Sequence, residues 1–323
     1  MRKITVSAPG KLMLFGEHGV VYGRPCIVTA VGQRMKAIVE LIEEPFFQLE
    51  APDVNITNYK KAIEDCGVGE ITKGAKFVEV AVKNFLDKYP FGGGVKIETS
   101  SEFSSEFGFG SSSASTVCVV KALAELTGAK LDKKAIFDLS YKTVLDIQGK
   151  GSGFDVAAAV YGGTLYYVTP GKVIEPLNIN SLPLIVGYSG IKFDTVTLVN
   201  QVSKLAEKYP QIIENVYSQI EKLVEQAKIA LLNKDYTSLG ELMNFNEGYL
   251  ATLGVEGKKL ADMIYGAREA GAYGAKLSGS GIGDCMIALS PEDKIKDLKK
   301  AVTDAGGVII DIETNAEGVR VEV

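Results

Sequence analysis

The chain has 323 residues, 46% of them apolar and 23% charged, and a formal net charge of −5. This is the balance of a globular protein long enough for two cores, with too little net charge to draw polyanions from a distance, which argues against a nucleic-acid partner. Its four cysteines lie far apart and it has one histidine, so neither a disulfide framework nor a histidine-rich metal site is indicated, and no apolar run approaches the roughly 20 residues that span a bilayer.

Short β-rich runs at 3–8 and 11–15 flank Pro9-Gly10, which predicts two strands joined by a turn. Alternating Val, Ile and Ala predict two more at 26–31 and 34–42. Apolar residues spaced three and four apart predict helices over 76–88, 114–127 and 133–147. Between 168 and 183, VTPGKVIEPLNINSLP clusters Pro, Gly and Asn, and a domain boundary is placed there, dividing 1–172 from 173–323. Beyond it, 195–232, 235–250 and 256–271 read as amphipathic helices and 284–289 as a short strand. The runs 308–312 and 318–323 alternate like strands that close the second sheet. The fold class is α+β, with helices packed on an antiparallel sheet in the second half. The separated cysteines and the absence of a leader-like apolar stretch fit a reducing cytoplasm without a membrane partner.

Three glycine-rich stretches carry the candidate chemistry. FGFGSSSAST at 107–116 opens directly into an apolar helix. Glycines there let an anion approach the backbone, and the first amides of the helix, with its dipole, are donors for a phosphate. The same pattern also reads as an over-determined helix cap. GAKLSGSGIGD at 274–284 could wrap an anion or be a tight mobile loop; it lacks the Walker pattern. GKGSGFD at 149–155 ends in Asp155, either a carboxylate reaching a ligand from a rigid support or a cap after a helix stop. Lys11 falls in a strand expected to be buried, where a lysine needs an anionic partner, and Asp155 is the candidate. Any histidine base would have to be His18, so a carboxylate route is favoured.

Taken in order, APGKLMLFGEH (8–18), GFGSSSAS (108–115) and GAKLSGSGIGDC (274–285) resemble the three motifs of the GHMP-type small-molecule kinase family. That family includes galactokinase, homoserine kinase and the kinases of mevalonate and phosphomevalonate. GEHGVVYGRPCIVTAV (16–31), GIKFDTVTLV (190–199) and MNFNEGYLATLGV (243–255) look like members acting on mevalonate. QGKGSGFDVAAAVYGG (148–163) and GDC (283–285) look more like those acting on phosphomevalonate. The resemblance implies a ribosomal-protein-S5-like N-terminal domain that binds ATP and Mg²⁺, and a ferredoxin-like C-terminal domain that closes the cleft.

It also implies roles, residue by residue. Lys11 and Asp155 form the catalytic pair, Asp155 as base. Gly108, Phe109, Gly110, Ser111, Ser112 and Ser113 form the phosphate loop, with Ser112 on the metal. Glu17, His18 and Thr195 face the substrate, although His18 also reads as a structural hydrogen bond in a turn. Lys276, Ser278, Gly279, Ser280 and Gly281 belong to the C-terminal glycine loop. The family's metal-binding glutamate falls at Val144 here, leaving Asp146, two residues on, as the candidate second ligand. The implied activity is phosphorylation of the 5-hydroxyl of mevalonate. The alternatives are phosphomevalonate as acceptor, with Lys150 and Lys192 supplying cations for its phosphate, or a nucleotide-binding regulator without turnover. Family members are often dimers, so a homodimer is open to this chain.

Overall fold

The computed structural model describes residues 3–322. Its first sheet is built on two long antiparallel strands, β1 (Lys3–Phe15) and β2 (Pro25–Ile42). Pro9-Gly10 does not make a turn: β1 runs through it with a bulge between the two residues. Proline is tolerated at such an irregularity, where the extra residues, Gly32 and Gln33, lie on β2 opposite Pro9-Gly10. Likewise the runs 26–31 and 34–42 are one strand. The length of β2 lets it serve two neighbours on one edge. Its second half pairs with β5 (Gly94–Ser101), its first with β6 (Thr164–Val168). Outward from β5 lie β3 (Phe46–Ala51), parallel to it, and β4 (Ile56–Ala62); β7 (Val173–Leu177) pairs with β6.

Helix α1 (Lys76–Lys88) occupies the residues its periodicity predicts, as does α3 (Lys133–Gln148) to within one residue. Helices α2 (Ser111–Thr127) and α4 (Phe154–Tyr161) lie directly on β1 and β2, with α1 and α3 layered over α2. The expected helix at 195–232 is two, α5 (Thr195–Lys208) and α6 (Pro210–Asn233). Pro210 cannot donate the backbone bond needed to continue α5, but it suits the first position of α6. Helices α7 (Tyr236–Thr252), α8 (Lys258–Glu269) and α9 (Ile295–Asp304) complete the set.

The second sheet is antiparallel, in the order β11 (Val308–Ile310), β8 (Leu184–Tyr188), β10 (Cys285–Leu289), β9 (Gly274–Ser278). The central strand β10, CMIAL, is apolar throughout because both of its faces are covered. Cys285, Ile287 and Leu289 join the first hydrophobic core, while Met286 and Ala288 join a second one under α8 and α9. The last strand, β12 (Arg320–Glu322), corrects one expectation: it pairs with β1 at the edge of the first sheet and does not close the second. The division expected at 172/173 falls inside the β6–β7 hairpin of the first sheet. All four cysteines are free and buried, and among the described residues no helix is long and apolar enough to cross a membrane.

Candidate active site

A cleft of about 440 Å³ opens where the loop before α2, the turn after β1 and the loop between β9 and β10 meet. Gly108 and Gly110 take φ of 73° and 79°, left-handed values that only glycine adopts without penalty. The first bond of α2 is Ala114 N–H to Gly110 C=O, 3.0 Å, so the amides of Ser111, Ser112 and Ser113 precede the helical ladder. None of the serines caps the helix. Ser113 Oγ donates to Asp155 at 2.5 Å, and the hydroxyls of Ser115 and Thr116 donate to the Ser112 carbonyl. The reading of this stretch as an over-determined cap therefore has no hydrogen bond behind it. Ser111 and Ser112 line the cleft at the positive end of the helix dipole.

Lys11 and Asp155 meet over Gly110. A Cβ built on that glycine would stand 3.5 Å from Lys11 Cγ and Cε and from Asp155 Cβ. Asp155 is the second residue of α4, set there by Gly153 at φ 82°. The direct ion pair expected between Lys11 and Asp155 is not formed among the described residues. Lys11 Nζ donates instead to the Gly108 carbonyl at 2.6 Å, while Asp155 accepts from Ser113. The lysine is satisfied by the phosphate loop itself, leaving the carboxylate to a hydroxyl. Burial lowers the pKa of Lys11, and the negative charge of Asp155 is the largest opposing influence. Because Ser113 orients the Asp155 carboxylate, Ser113→Ala is expected to lower kcat about tenfold, the worth of one hydrogen bond to a charged group, with KM for both substrates within twofold. Steady-state kinetics check this; an unchanged kcat would show that Asp155 holds its position without Ser113.

The third side of the cleft corrects part of the expected loop. Lys276 and Ser278 are not loop residues but lie in β9, fully buried or nearly so. Lys276 forms an ion pair with Glu17, both side chains without solvent exposure. Ser278 Oγ bridges the Met13 amide and carbonyl at 3.0 and 2.9 Å. Nearby Glu247 accepts from the Leu277 amide at 2.8 Å; its other oxygen is buried without a partner, and burial pushes the group up to about 7.

The loop proper is 279–284, with Gly279 and Gly281 at positive φ. The Ser280 carbonyl is 2.8 Å from His18 Nε2, and Ser280 Oγ lies 3.4 Å from Thr195 Oγ1. A carbonyl only accepts, so Nε2 carries the proton; burial lowers the imidazole pKa and favours this neutral form. The three residues expected to face the substrate thus all tie to β9 or its loop. Glu17, His18 and Thr195 all line the cleft, and the Glu17 carboxylate is held by Lys276 and Asn246.

Asp146 does not reach this site. It accepts from Lys142 and Asn84 and borders a separate depression between α1 and α3, while Val144 lines the cleft. Two residues turn a helix by about 200°, which puts the carboxylate on the far side. Among the described residues no group of three or more His, Cys, Asp or Glu side chains is arranged to hold a metal. Asp284, given no role from sequence, is buried beside the phosphate loop and paired with Lys192 at 2.9 Å. Its only local signal was a carboxylate at the end of a glycine run. Lys73 also lines the cleft unanticipated.

A helix start with open amides behind two glycines, a neighbouring lysine and carboxylate, and a second glycine loop from the other half of the chain are the parts of a small-molecule kinase. The GHMP kinases N terminal domain matches residues 76–163 and the GHMP kinases C terminal domain matches residues 227–308. The chain belongs to the GHMP kinase family. It is 36% identical over 333 residues to the mevalonate kinase of Pyrococcus horikoshii, covering 100% of this chain and 98% of that one. Among solved structures it resembles the Methanococcus jannaschii mevalonate kinase, with TM-score 0.83, 26% identity, and 98% and 99% of the two chains covered. It also resembles the L. major mevalonate kinase in complex with R-mevalonate, with TM-score 0.80, 27% identity, and 98% and 96% covered.

Proposed function

We propose that this protein transfers the γ-phosphoryl group of ATP to the 5-hydroxyl of mevalonate. The observation that carries the reading is the meeting of Asp155 and Lys11 over Gly110, beside the open amides of α2. Phosphoryl transfer needs positioning and the spreading of negative charge, which these groups supply. The amides at 111–113 hold the phosphates. Asp155 accepts the proton of the acceptor hydroxyl as it attacks, with Ser113 keeping the carboxylate aimed. Lys11 offsets the charge on the phosphoryl oxygens. The segment beyond 173 supplies the opposite wall, with Thr195 and the 279–284 loop facing the acceptor together with His18.

Mg²⁺ fits the donors present: Ser112 offers a hydroxyl at the phosphate loop, and this ion commonly binds through one or two protein oxygens while substrate phosphates and water supply the rest. When bound it offsets charge on the nucleotide's phosphates. Mevalonate is favoured over phosphomevalonate by the full-length similarity to mevalonate kinases. The free buried cysteines support a reducing, cytoplasmic setting.

The test is ATP turnover with Mg²⁺ and either mevalonate or phosphomevalonate. Turnover of mevalonate alone is expected, and turnover of phosphomevalonate alone, or of neither, would overturn the reading.

A further inference from the structure

Lys192 and Asp284 are among the cleft residues with no part in the reaction described above. Lys192 lies on the segment between β8 and α5, and Asp284 immediately precedes β10. The Asp284 amide donates to the Ile191 carbonyl at 2.8 Å, and the Ser189 amide donates to the Asp284 carbonyl at 3.0 Å. The ladder thus continues past the strand ends and fixes the two segments to each other. Asp284 takes φ 60°, a sparsely populated conformation for a non-glycine residue that persists only where its surroundings hold it.

The Asp284 carboxylate is 95% buried, and its two oxygens have different neighbours. Oδ1 accepts from Lys192 Nζ at 2.9 Å. Oδ2 lies against the phosphate loop, so close that a Cβ on Gly108 would come within 2.6 Å of it. Asp284 therefore holds an ammonium from the second half of the chain one carboxylate away from the loop where Lys11 bonds the Gly108 carbonyl. The two ammonium groups feel each other: the charge of Lys192 adds to burial in lowering the pKa of Lys11. Two cations drawn together at the start of a helix, one held there by a buried carboxylate, form a site for a multiply charged anion.

We propose that Lys192 is a second phosphoryl-binding lysine, contacting the terminal phosphoryl group of the nucleotide, and that Asp284 is the residue that positions it. This rests on the phosphotransfer reading above. The nucleotide is favoured over the acceptor because the Asp284 carboxylate lies on Gly108, just before α2, whereas His18 and Thr195 make their contacts to Ser280. Lys192 is 42% exposed on a flexible stem, and the ion pair holds it ready before the nucleotide arrives.

The experiment is titration calorimetry of ATP and of ADP, each with Mg²⁺ and without acceptor. Lys192→Met is expected to weaken ATP about tenfold or more and ADP less than twofold, since a charge-assisted bond to the terminal phosphoryl group alone is lost. Lys192→Arg keeps most of the ATP preference. Asp284→Asn loses part of it, and adding Lys192→Met to Asp284→Asn makes it no worse than Lys192→Met alone. Equal weakening of ATP and ADP, or neither changing while the KM for the acceptor rises, overturns the proposal. Thermal unfolding of Asp284→Asn guards against loss of fold, and the exposed Lys192 variants carry the test if that protein does not fold. Binding is scored without turnover, so a wild type that binds ATP but ignores mevalonate would sink the acceptor assignment and leave this one to its own result.

Discussion

Asp155→Asn is expected to lower kcat by about 10²- to 10⁴-fold, the usual worth of a general base, while ATP still binds. Asparagine keeps the shape that packs over Gly110, and its oxygen can still accept from Ser113, so the phosphate loop should keep its form. What disappears is the group able to take a proton from the attacking hydroxyl. A second consequence follows from charge. The carboxylate of Asp155 is the largest influence holding the pKa of Lys11 up against burial, so removing it lowers that pKa further. Lys11 must be protonated to offset phosphoryl charge, and nucleotide binding in the variant should therefore fail at a lower pH than in the wild type. Stopped-flow or coupled-assay turnover gives the first number and calorimetry across the alkaline range gives the second. A variant turning over at a near-normal rate would remove Asp155 from the mechanism.

Lys276→Met should be the most destabilising single change near the cleft. Lys276 and Glu17 are both fully buried, and removing one partner of such a pair costs about 3–5 kcal/mol because the other is left charged and dry. At roughly 2–4 °C per kcal/mol, the melting point should fall by about 6–20 °C. Changing both residues, Glu17→Gln with Lys276→Met, removes the stranded charge and should restore most of the loss.

The sign of the pH dependence is also set. Burial raises the pKa of Glu17 in the folded protein above its ordinary value, and loss of Lys276, which opposes this, raises it further. The folded variant then binds a proton that the unfolded chain has released, so its stability declines as pH rises through and above the carboxylate range. The deficit against wild type should be smaller near pH 5 than near pH 8, as denaturant melts at the two values would show. A Lys276→Met protein as stable as wild type at both would mean that Glu17 is already neutral in the fold.

How much of this was legible in the chain itself differs element by element. Helix α1 occupies the residues its apolar spacing picks out, and β10 follows from an apolar run beside a glycine loop. The glycines before α2 marked its mouth, but the helix starts at Ser111, three residues before the apolar spacing shows it, because the serines form its first turn and Ser113, Ser115 and Thr116 are buried in it. Lys11 was identified as needing a partner because an ammonium inside a strand is costly. Asp155 does lie beside it, but the direct bond goes to the Gly108 carbonyl, and the site's boundary was misplaced at Lys276 and Ser278. β2 looked like two strands because it serves two neighbours, and the end of the chain was assigned to the wrong sheet. Asp146 was chosen over Val144 for its chemistry alone, although helical geometry turns it away from the cleft.

From sequence alone, then, came most of the periodic elements, the three glycine-rich stretches, the family, and the polar residues at the centre of the cleft. These depend on interactions within a few residues, where a period of two or 3.6 and the freedom of a missing Cβ are written directly. Tertiary structure alone decided the partners: Lys11 with a carbonyl 97 positions away, Glu17 with a lysine 259 positions away, and Asp284 against Gly108. Such contacts are chosen by which buried groups lack a partner once the two hydrophobic cores have closed on the two faces of β10, and no local window of the chain contains that competition.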